Sequence, residues 1–270
     1  MPTSRALGDY LRTRRELTRP EDVGITVGPG TRRVPGLRRS EVAQLAGISA
    51  EYYVKLEQGQ ESNPTAQVLD ALSRAFRLDA AARAYLHALT RKHERVGIDP
   101  SPSALTHARW LIDSWPLTAA MIHDRHLDIV ASNSLMQALV PAYRASVNSL
   151  AVLMLDPALR ALYLEWDGLT ARSVAMLRAT LGTQPDDVRS LQLITKLTRE
   201  SERFRELWTR HDVVTVTEGI HPIAHPTAGP LTLHYTNLRL TGGDGDSMFL
   251  YYCEPGTESA DALARLAAGW

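Results

Sequence analysis

The spacing of apolar and polar positions changes once along the chain, close to residue 100. Before that point apolar residues recur every three or four positions, in short stretches. This spacing predicts amphipathic helices over residues 4–17, 40–46, 49–58, 66–76 and 80–92. Three prolines and four glycines between Pro20 and Gly36 predict a long loop. The front part of the chain is therefore expected to be an all-helical domain of five short helices.

The rear part of the chain mixes two kinds of pattern. Runs rich in β-branched and aromatic residues predict strands over 117–122, 127–131, 213–223, 230–240 and 247–255. Helical spacing predicts the other elements, over 134–139, 157–163, 169–181, 187–200, 202–210 and 259–266. Strands at both ends of this part with helices between them indicate an α+β domain with an antiparallel sheet.

The segment from Arg91 to Ser103 is charged at its start and rich in proline at its end, which is typical of a linker. A chain of 270 residues also has the length of about two domains, since one domain takes roughly 150 residues. We therefore predict a first domain over residues 1–92, a linker over 93–104 and a second domain over 105–270.

The formal charge of the whole chain is zero, but the two parts differ in sign. Residues 1–95 carry 16 Lys or Arg against 11 Asp or Glu, and the remainder carries 14 against 19. A basic front part can meet nucleic-acid phosphates, while an acidic rear part indicates a different task.

The single cysteine, Cys253, cannot form an internal disulfide, and no Cys and His spacing of zinc-finger type occurs. No stretch reaches the roughly 18 consecutive apolar residues of a membrane span, and the first residues lack an apolar signal core. We expect a cytoplasmic protein, associated with the nucleoid if it binds DNA, and no membrane partner.

The stretch from Gly36 to Gln60 has the features of a helix-turn-helix. Two helices that cross closely need a small side chain at the crossing and often a glycine in the turn, and Ala43 and Gly47 meet these needs. We expect the buried face that joins the two helices to consist of Val42, Leu45, Ile48, Tyr53 and Leu56. The alternative is an ordinary pair of packed helices with solvated charges.

The outward residues of this motif are the candidates for DNA binding. Arg38 and Arg39 begin the supporting helix, where cations and free backbone N–H groups can hold a phosphate. Arg32 and Arg33 in the preceding loop are further candidates for such contacts. The outer row of the second helix, which would read bases, is Ser49, Ala50, Glu51, Tyr52 and Lys55.

The fragments RRSEVAQLAGIS, EYYVKLEQG and VLDALSRAFRLD resemble the helix-turn-helix domain of bacterial regulators of the xenobiotic-response-element type, in their actinobacterial branch. The resemblance covers residues 7–89. It implies a five-helix, lambda-repressor-like domain whose third helix enters the major groove, commonly as a homodimer on a partly palindromic operator. Arg39 stands where many members carry glutamine.

The rear part resembles the MmyB-like ligand-binding domain from about residue 118 to 255. The fragments that carry this likeness are MIHDRHLDIVASNSLMQAL, LDPALRALYLEWDG, SVAMLRATLGTQPDD, FRELWTRHDV and HPTAGPLTLHY. The resemblance implies a PAS-like sheet with helices around an apolar pocket, for a fatty-acid-like or other lipophilic effector. Val147-Asn148 replaces an Arg-Asn pair that members often show.

Candidate ligand-binding residues follow from side-chain chemistry. Arg210 and His211 are the candidates for a carboxylate, since a guanidinium binds one with two parallel hydrogen bonds. The aromatic residues Trp208, Tyr235 and Trp115 are candidates for the pocket walls. The alternative is a surface arginine, a structural histidine and aromatic side chains that fill the core.

Metal binding and catalysis find little support in the sequence. His221 and His225 stand four apart, but a proline follows each of them, which favours strands or loops over a helix that would place both on one ion. No GxSxG, GxxxxGK[ST] or HExxH motif occurs. We predict a ligand-responsive, DNA-binding transcriptional regulator that is not an enzyme and has no cofactor. Two alternatives stay open: a rear domain for protein interaction or dimerisation, and an enzyme fused to a DNA reader.

Overall fold

The computed structural model describes residues 2–26, 34–61, 63–90, 102–181, 187–214, 217–240 and 245–269. Two units account for these residues. Unit 1 takes Met1–Glu94, Arg178–Val188 and Leu207–Thr215, and unit 2 takes Arg95–Leu177, Arg189–Glu206 and Val216–Trp270. Unit 1 therefore includes two segments that follow residue 104 in the chain. None of the described helices is both long enough and apolar enough to cross a membrane.

Unit 1 contains the five short helices that the spacing predicts. They are α1 (Pro2–Leu17), α2 (Arg39–Ala46), α3 (Ala50–Glu57), α4 (Ala66–Ala75) and α5 (Ala80–Ala88). Side-chain oxygens of Ser49, Thr65 and Asp79 accept the first free N–H groups of α3, α4 and α5. Gly47 ends α2 with φ 65°, a left-handed conformation that glycine adopts without strain.

The core of unit 1 joins α1 to the pair α2 and α3. Tyr10, Leu11, Tyr53 and Leu56 are buried in it. A Cβ atom added to Gly8 would lie 2.5 Å from the backbone oxygen of Glu57, so α1 passes α3 at a distance that only glycine permits.

Leu45 is an exception to the predicted buried face, because 38% of its surface is exposed. The buried positions of α2 are Val42, Ala43 and Ala46, which span a narrow sector of the helix. At about 100° per residue, Leu45 falls outside that sector. Ile48 is half-buried, and the remaining predicted residues are buried as expected.

Unit 2 is built on a five-stranded antiparallel sheet, in agreement with the predicted α+β class. Its strands are β1 (Ala119–His123), β2 (Ile129–Ser132), β3 (Glu218–His225), β4 (Gly229–Arg239) and β5 (Ser247–Tyr252). Their order in the sheet is β2-β1-β5-β4-β3. The predicted strand over 213–223 was wrong at its start, since β3 begins at Glu218 and Val213 is buried in the core of unit 1 instead.

Helices precede, connect and follow these strands. They are α6 (Pro102–Asp113), α7 (Ser134–Leu139), α8 (Ser149–Leu155), α9 (Pro157–Leu162), α10 (Trp166–Leu181), α11 (Val188–Glu200), α12 (Glu202–Thr209) and α13 (Glu258–Ala268). Helical spacing did not predict α8, because most of its residues are buried and a helix buried on most sides lacks a polar period. The last residues of α10 and of α12 belong to unit 1.

Candidate functional sites

The outer face of α3 is the first candidate site. Ser49, Ala50, Glu51 and Lys55 are exposed, as the helix-turn-helix interpretation predicts, whereas Tyr52 is half-buried against the core of unit 1. The Ser49 hydroxyl accepts the Tyr52 N–H at 3.1 Å and so begins the helix. Burial, helped by the nearby charge of Glu61, raises the pKa of Tyr52, which keeps its hydroxyl protonated and able to donate.

Lys55 has a partner on the same helix. Its Nζ lies 3.2 Å from the Glu51 carboxylate, one turn earlier, and both side chains are at least half exposed. Exposed ion pairs of this kind contribute at most about 1 kcal/mol. The pair therefore orients Lys55 but is weak enough to be broken when another anion binds.

The two arginines at the start of α2 have different surroundings. The Arg38 side chain is exposed, and its backbone N–H donates to the Glu41 carboxylate at 2.6 Å. The Arg39 guanidinium donates to Oε1 of Glu57 from Nε at 3.0 Å and from Nη2 at 2.8 Å, with about half of its side chain exposed. Arg32 and Arg33 lie outside the described residues.

Glu57, at the end of α3, is the anchor of this surface. Arg15 of α1 donates to it from Nε at 2.8 Å and from Nη2 at 3.0 Å, and both side chains are buried. Burial alone would raise the pKa of Glu57, but the hydrogen bonds from Arg15 and Arg39 outweigh it and lower the pKa. An arginine on an amphipathic helix is usually exposed, but its two hydrogen bonds to Glu57 hold Arg15 in the core.

A cavity in unit 2 is the second candidate site. It lies between the sheet and helices α8 and α10, and its apolar lining includes Met121, Leu127, Leu150, Leu153, Leu169, Met176 and Phe249. The cavity has a volume of about 50 Å³. A molecule much larger than water therefore needs side chains to move. The two methionines are flexible enough to do so.

Two histidines bring polar atoms without partners into this cavity. Neither ring nitrogen of His123 or of His221 has a hydrogen-bond partner, and both residues are buried. Burial lowers the pKa of each to about 4, and the charge of Arg172 adds to the effect at His221. Both imidazoles are therefore neutral near pH 7, and each offers one donor and one acceptor.

Arg172 of α10 supplies a positive charge to the same cavity. Its Nε is buried without a partner, although its guanidinium is within hydrogen-bond reach of the Tyr235 hydroxyl. No carboxylate of the described residues forms an ion pair with it. Buried polar atoms without partners are rare in folded proteins, and they mark places where a bound molecule can complete the hydrogen bonding.

The other histidine of the HPIAH segment is structural. His225 Nε2 lies 3.2 Å from the Ala138 oxygen, and its Nδ1 accepts the Ala228 N–H at 3.0 Å. His221 and His225 belong to no group of three possible metal ligands among the described residues. One such group exists there, Asp124, His126 and Asp128, and hydrogen bonds within the loop and to neighbouring side chains already use its atoms.

Only one of the five residues predicted for ligand binding lines this cavity. Tyr235 does so, with its ring 4.3 Å from that of His221. Trp115 packs against a separate apolar cluster formed by α6 and the sheet. The other three residues, Trp208, Arg210 and His211, belong to unit 1. Arg210 pairs there with Asp212 at 3.0 Å. The structure thus assigns the charged part of the cavity to Arg172 and not to Arg210.

The turn at Gly47 between α2 and α3, with an exposed polar row on α3, is the arrangement of a DNA-binding helix-turn-helix protein, and the model of a helix-turn-helix domain matches residues 6–86. The model of the MmyB-like transcription regulator ligand binding domain matches residues 104–266, more than half of the chain. The chain belongs to this family of transcription regulators. A search of curated proteins found no match.

Proposed function

We propose that this regulator binds a lipophilic molecule with an acidic head group, such as a fatty acid, in the cavity of unit 2, and that occupancy changes its affinity for an operator. The observation that carries the proposal is the set of unpartnered polar atoms on His123, His221 and Arg172 in an otherwise apolar cavity. A carboxylate would accept from the guanidinium and from one or both neutral imidazoles. An aliphatic chain would contact the apolar lining once the methionine side chains have moved.

On the DNA side, we propose that α3 lies in the major groove. Lys55 and Tyr52 then face base edges, while Arg38 and the exposed part of Arg39 hold phosphates. A homodimer on a partly palindromic site would double these contacts, as is common for this motif. Such a regulator would act in the cytoplasm, on the nucleoid.

The head group can be tested with a fluorescent long-chain fatty acid and the alcohol of the same chain length. Arg172→Gln should raise the dissociation constant of the acid at least ~10-fold, since a hydrogen bond to a charged group contributes about 1.5–3 kcal/mol. The dissociation constant of the alcohol should change less than ~3-fold in the same variant. Arg199→Gln, on the exposed face of α11, is the matched control. Equal binding of acid and alcohol by the unmodified protein would exclude the acidic head group.

A second candidate function is supported by the surface of α6. Trp110 is 65% exposed and Leu111 is 46% exposed on this helix, which favours a role of the rear domain in dimerisation or protein interaction. Native mass spectrometry of protein purified from its own host separates the two functions. A bound lipophilic molecule supports effector binding, whereas a bound polypeptide without a small molecule supports the interaction module.

A further inference from the structure

The segment Leu207–Thr215 lies within the part of the chain that matches the ligand binding domain, yet it belongs to unit 1. Val213 is 4% exposed and shares a buried cluster with Tyr10 and Tyr85 of the helical bundle. Arg178–Val188 belongs to unit 1 as well. Arg14, Tyr85, Arg178 and His211 all belong to unit 1.

Arg178 holds this segment by several contacts. Its guanidinium lies 3.8 Å from the centre of the Trp208 ring, donates to the Trp208 carbonyl and lies 3.2 Å from Nδ1 of His211. It is 5% exposed, and the Tyr85 hydroxyl of α5 is a further hydrogen-bond partner. A planar guanidinium suits this set of contacts, since it can stack on a ring and donate in several directions at once.

His211 is held from its other side by α1. Arg14 donates from Nη2 to the His211 carbonyl at 3.2 Å and from Nε to the Tyr10 hydroxyl at 3.2 Å. His211 has φ 52°, a conformation that residues other than glycine adopt only where their surroundings impose it. Burial, with the charges of Arg178 and Arg14, lowers the pKa of His211 to about 4, so Nδ1 can accept from Arg178 near neutral pH.

Two neighbouring residues of α1 therefore connect the segment around His211 to the end of α3. Arg14 binds the backbone of His211, and Arg15 binds Glu57 at the end of α3. A shift of Arg178 can reach the DNA-reading helix through His211, Arg14 and Arg15 without any contact between Arg178 and α3.

Arg178 is also close in sequence to the cavity. Arg172, Ser173 and Met176 line the cavity, and Arg178 follows Met176 by two residues in the same helix, α10. At 1.5 Å per residue, about 3 Å along the helix axis separate these two positions. A side chain that moves to admit a ligand at Met176 therefore acts on the helical turn that carries Arg178.

We infer that Arg178 is a positioning residue that transmits occupancy of the cavity to the DNA-binding helices, through His211 and Arg14. This inference rests on the proposed function, because it needs a ligand in the cavity and an operator on α3. It identifies the contact on which the response depends and predicts that the response can be removed without removing either binding activity.

The test first selects an operator from random duplex DNA with the unmodified protein. It then measures the dissociation constant of the full chain for this operator with and without a saturating long-chain fatty acid. The ratio of the two constants is the coupling factor, which typically lies at ~5–150-fold for allosteric proteins. Arg178→Gln should bring this factor to within ~2-fold of one, while the affinity for the fatty acid measured without DNA changes less than ~3-fold. Arg199→Gln is again the control. A full coupling factor in R178Q would overturn the inference.

A second variant keeps the test decisive if R178Q does not fold. Arg14→Gln removes the bond to His211 from the side of α1, and it should abolish coupling in the same way. If the unmodified protein binds the fatty acid but its operator affinity does not change, the inference fails while the cavity assignment stands.

If the unmodified protein binds no fatty acid, the proposed effector fails and the role of Arg178 is decided by operator affinity alone. R178Q should then differ from R199Q by at least ~5-fold without any added ligand, the lower end of typical coupling. Equal operator affinities of the two variants would overturn the positioning role. The backbone amides of residues 207–214 should exchange hydrogen faster in R178Q than in the unmodified protein, whether or not the fatty acid binds.

Discussion

Arg15 donates two hydrogen bonds to Glu57, and both side chains are buried between α1 and α3. Arg39 shares the same carboxylate from the exposed side, at the start of α2. One carboxylate thus connects the first three helices of the helix-turn-helix domain. A buried pair of this kind fixes geometry more than it adds stability, because the desolvation of two charges opposes their attraction.

Glu57→Gln should be strongly destabilising. The substitution leaves the Arg15 guanidinium buried without a negative charge, and breaking a buried pair in this way costs about 3–5 kcal/mol. The free energy of unfolding in urea, followed by far-ultraviolet circular dichroism, measures the loss. Glu51→Gln on the exposed side of the same helix is the control and should change stability by less than about 0.5 kcal/mol. Equal effects of the two substitutions would contradict the anchoring role of Glu57.

Lys55→Ala should weaken binding to the operator and leave the fold intact. The side chain is half exposed, and its ion pair with Glu51 contributes little to stability. If Lys55 contacts a guanine, the loss should be about 1–3 kcal/mol and should relax specificity at one position of the operator. Fluorescence anisotropy with the selected operator and with single-base variants measures both effects. Lys196→Ala on α11 is the control, and unchanged operator affinity in K55A would exclude the assignment.

The helical front domain and the motif at Ala43 and Gly47 were predictable because they depend on local spacing. The burial of Arg15 was not, since it depends on Glu57, which lies 42 residues further along the chain. An arginine on an amphipathic helix is usually solvated, and nothing in its own neighbours indicates otherwise.

The cavity residues were likewise predictable only where local spacing brings them together. Leu169, Arg172 and Met176 recur at helical spacing in a predicted helix, so a shared face was available from the sequence. His221 and His225 also share one face of β3, but only tertiary contacts separate them, because Ala138 and Ala228 satisfy His225 alone. Chemistry pointed to Arg210 and His211, whereas packing places these residues in unit 1.

Gly8→Ala should destabilise the protein although alanine is the better helix former. The propensity term favours alanine by about 1 kcal/mol. The new Cβ, however, would lie 2.5 Å from the backbone oxygen of Glu57, which cannot move without shifting the end of α3. Thermal unfolding should therefore show a lower midpoint. Gly168→Ala in α10 is the matched control, since its nearest contact is the flexible Arg172 side chain at 3.2 Å, and a lower midpoint in G168A alone would contradict the argument.

The buried histidines should make the stability of the protein fall as the pH is lowered from about 6.5 to 4. Burial lowers the pKa of His123 and His221 from 6.5 to about 4 in the folded protein. In that interval the unfolded chain binds more protons than the folded one, so protonation favours unfolding. The loss is on the order of 3 kcal/mol for each imidazole. Glu57, whose pKa is lowered from 4.5, adds its own loss as the pH falls below about 4.5.

His221→Phe should reduce this pH dependence, because it removes one of the imidazoles and keeps a ring of similar shape beside Tyr235. Urea unfolding at pH 7.5 and at pH 5, for the variant and the unmodified protein, gives the difference directly. His107→Phe, at an exposed position of α6, is the control and should leave the dependence unchanged. If H221F and H107F lose the same free energy between the two pH values, His221 is not the buried neutral group that the cavity requires.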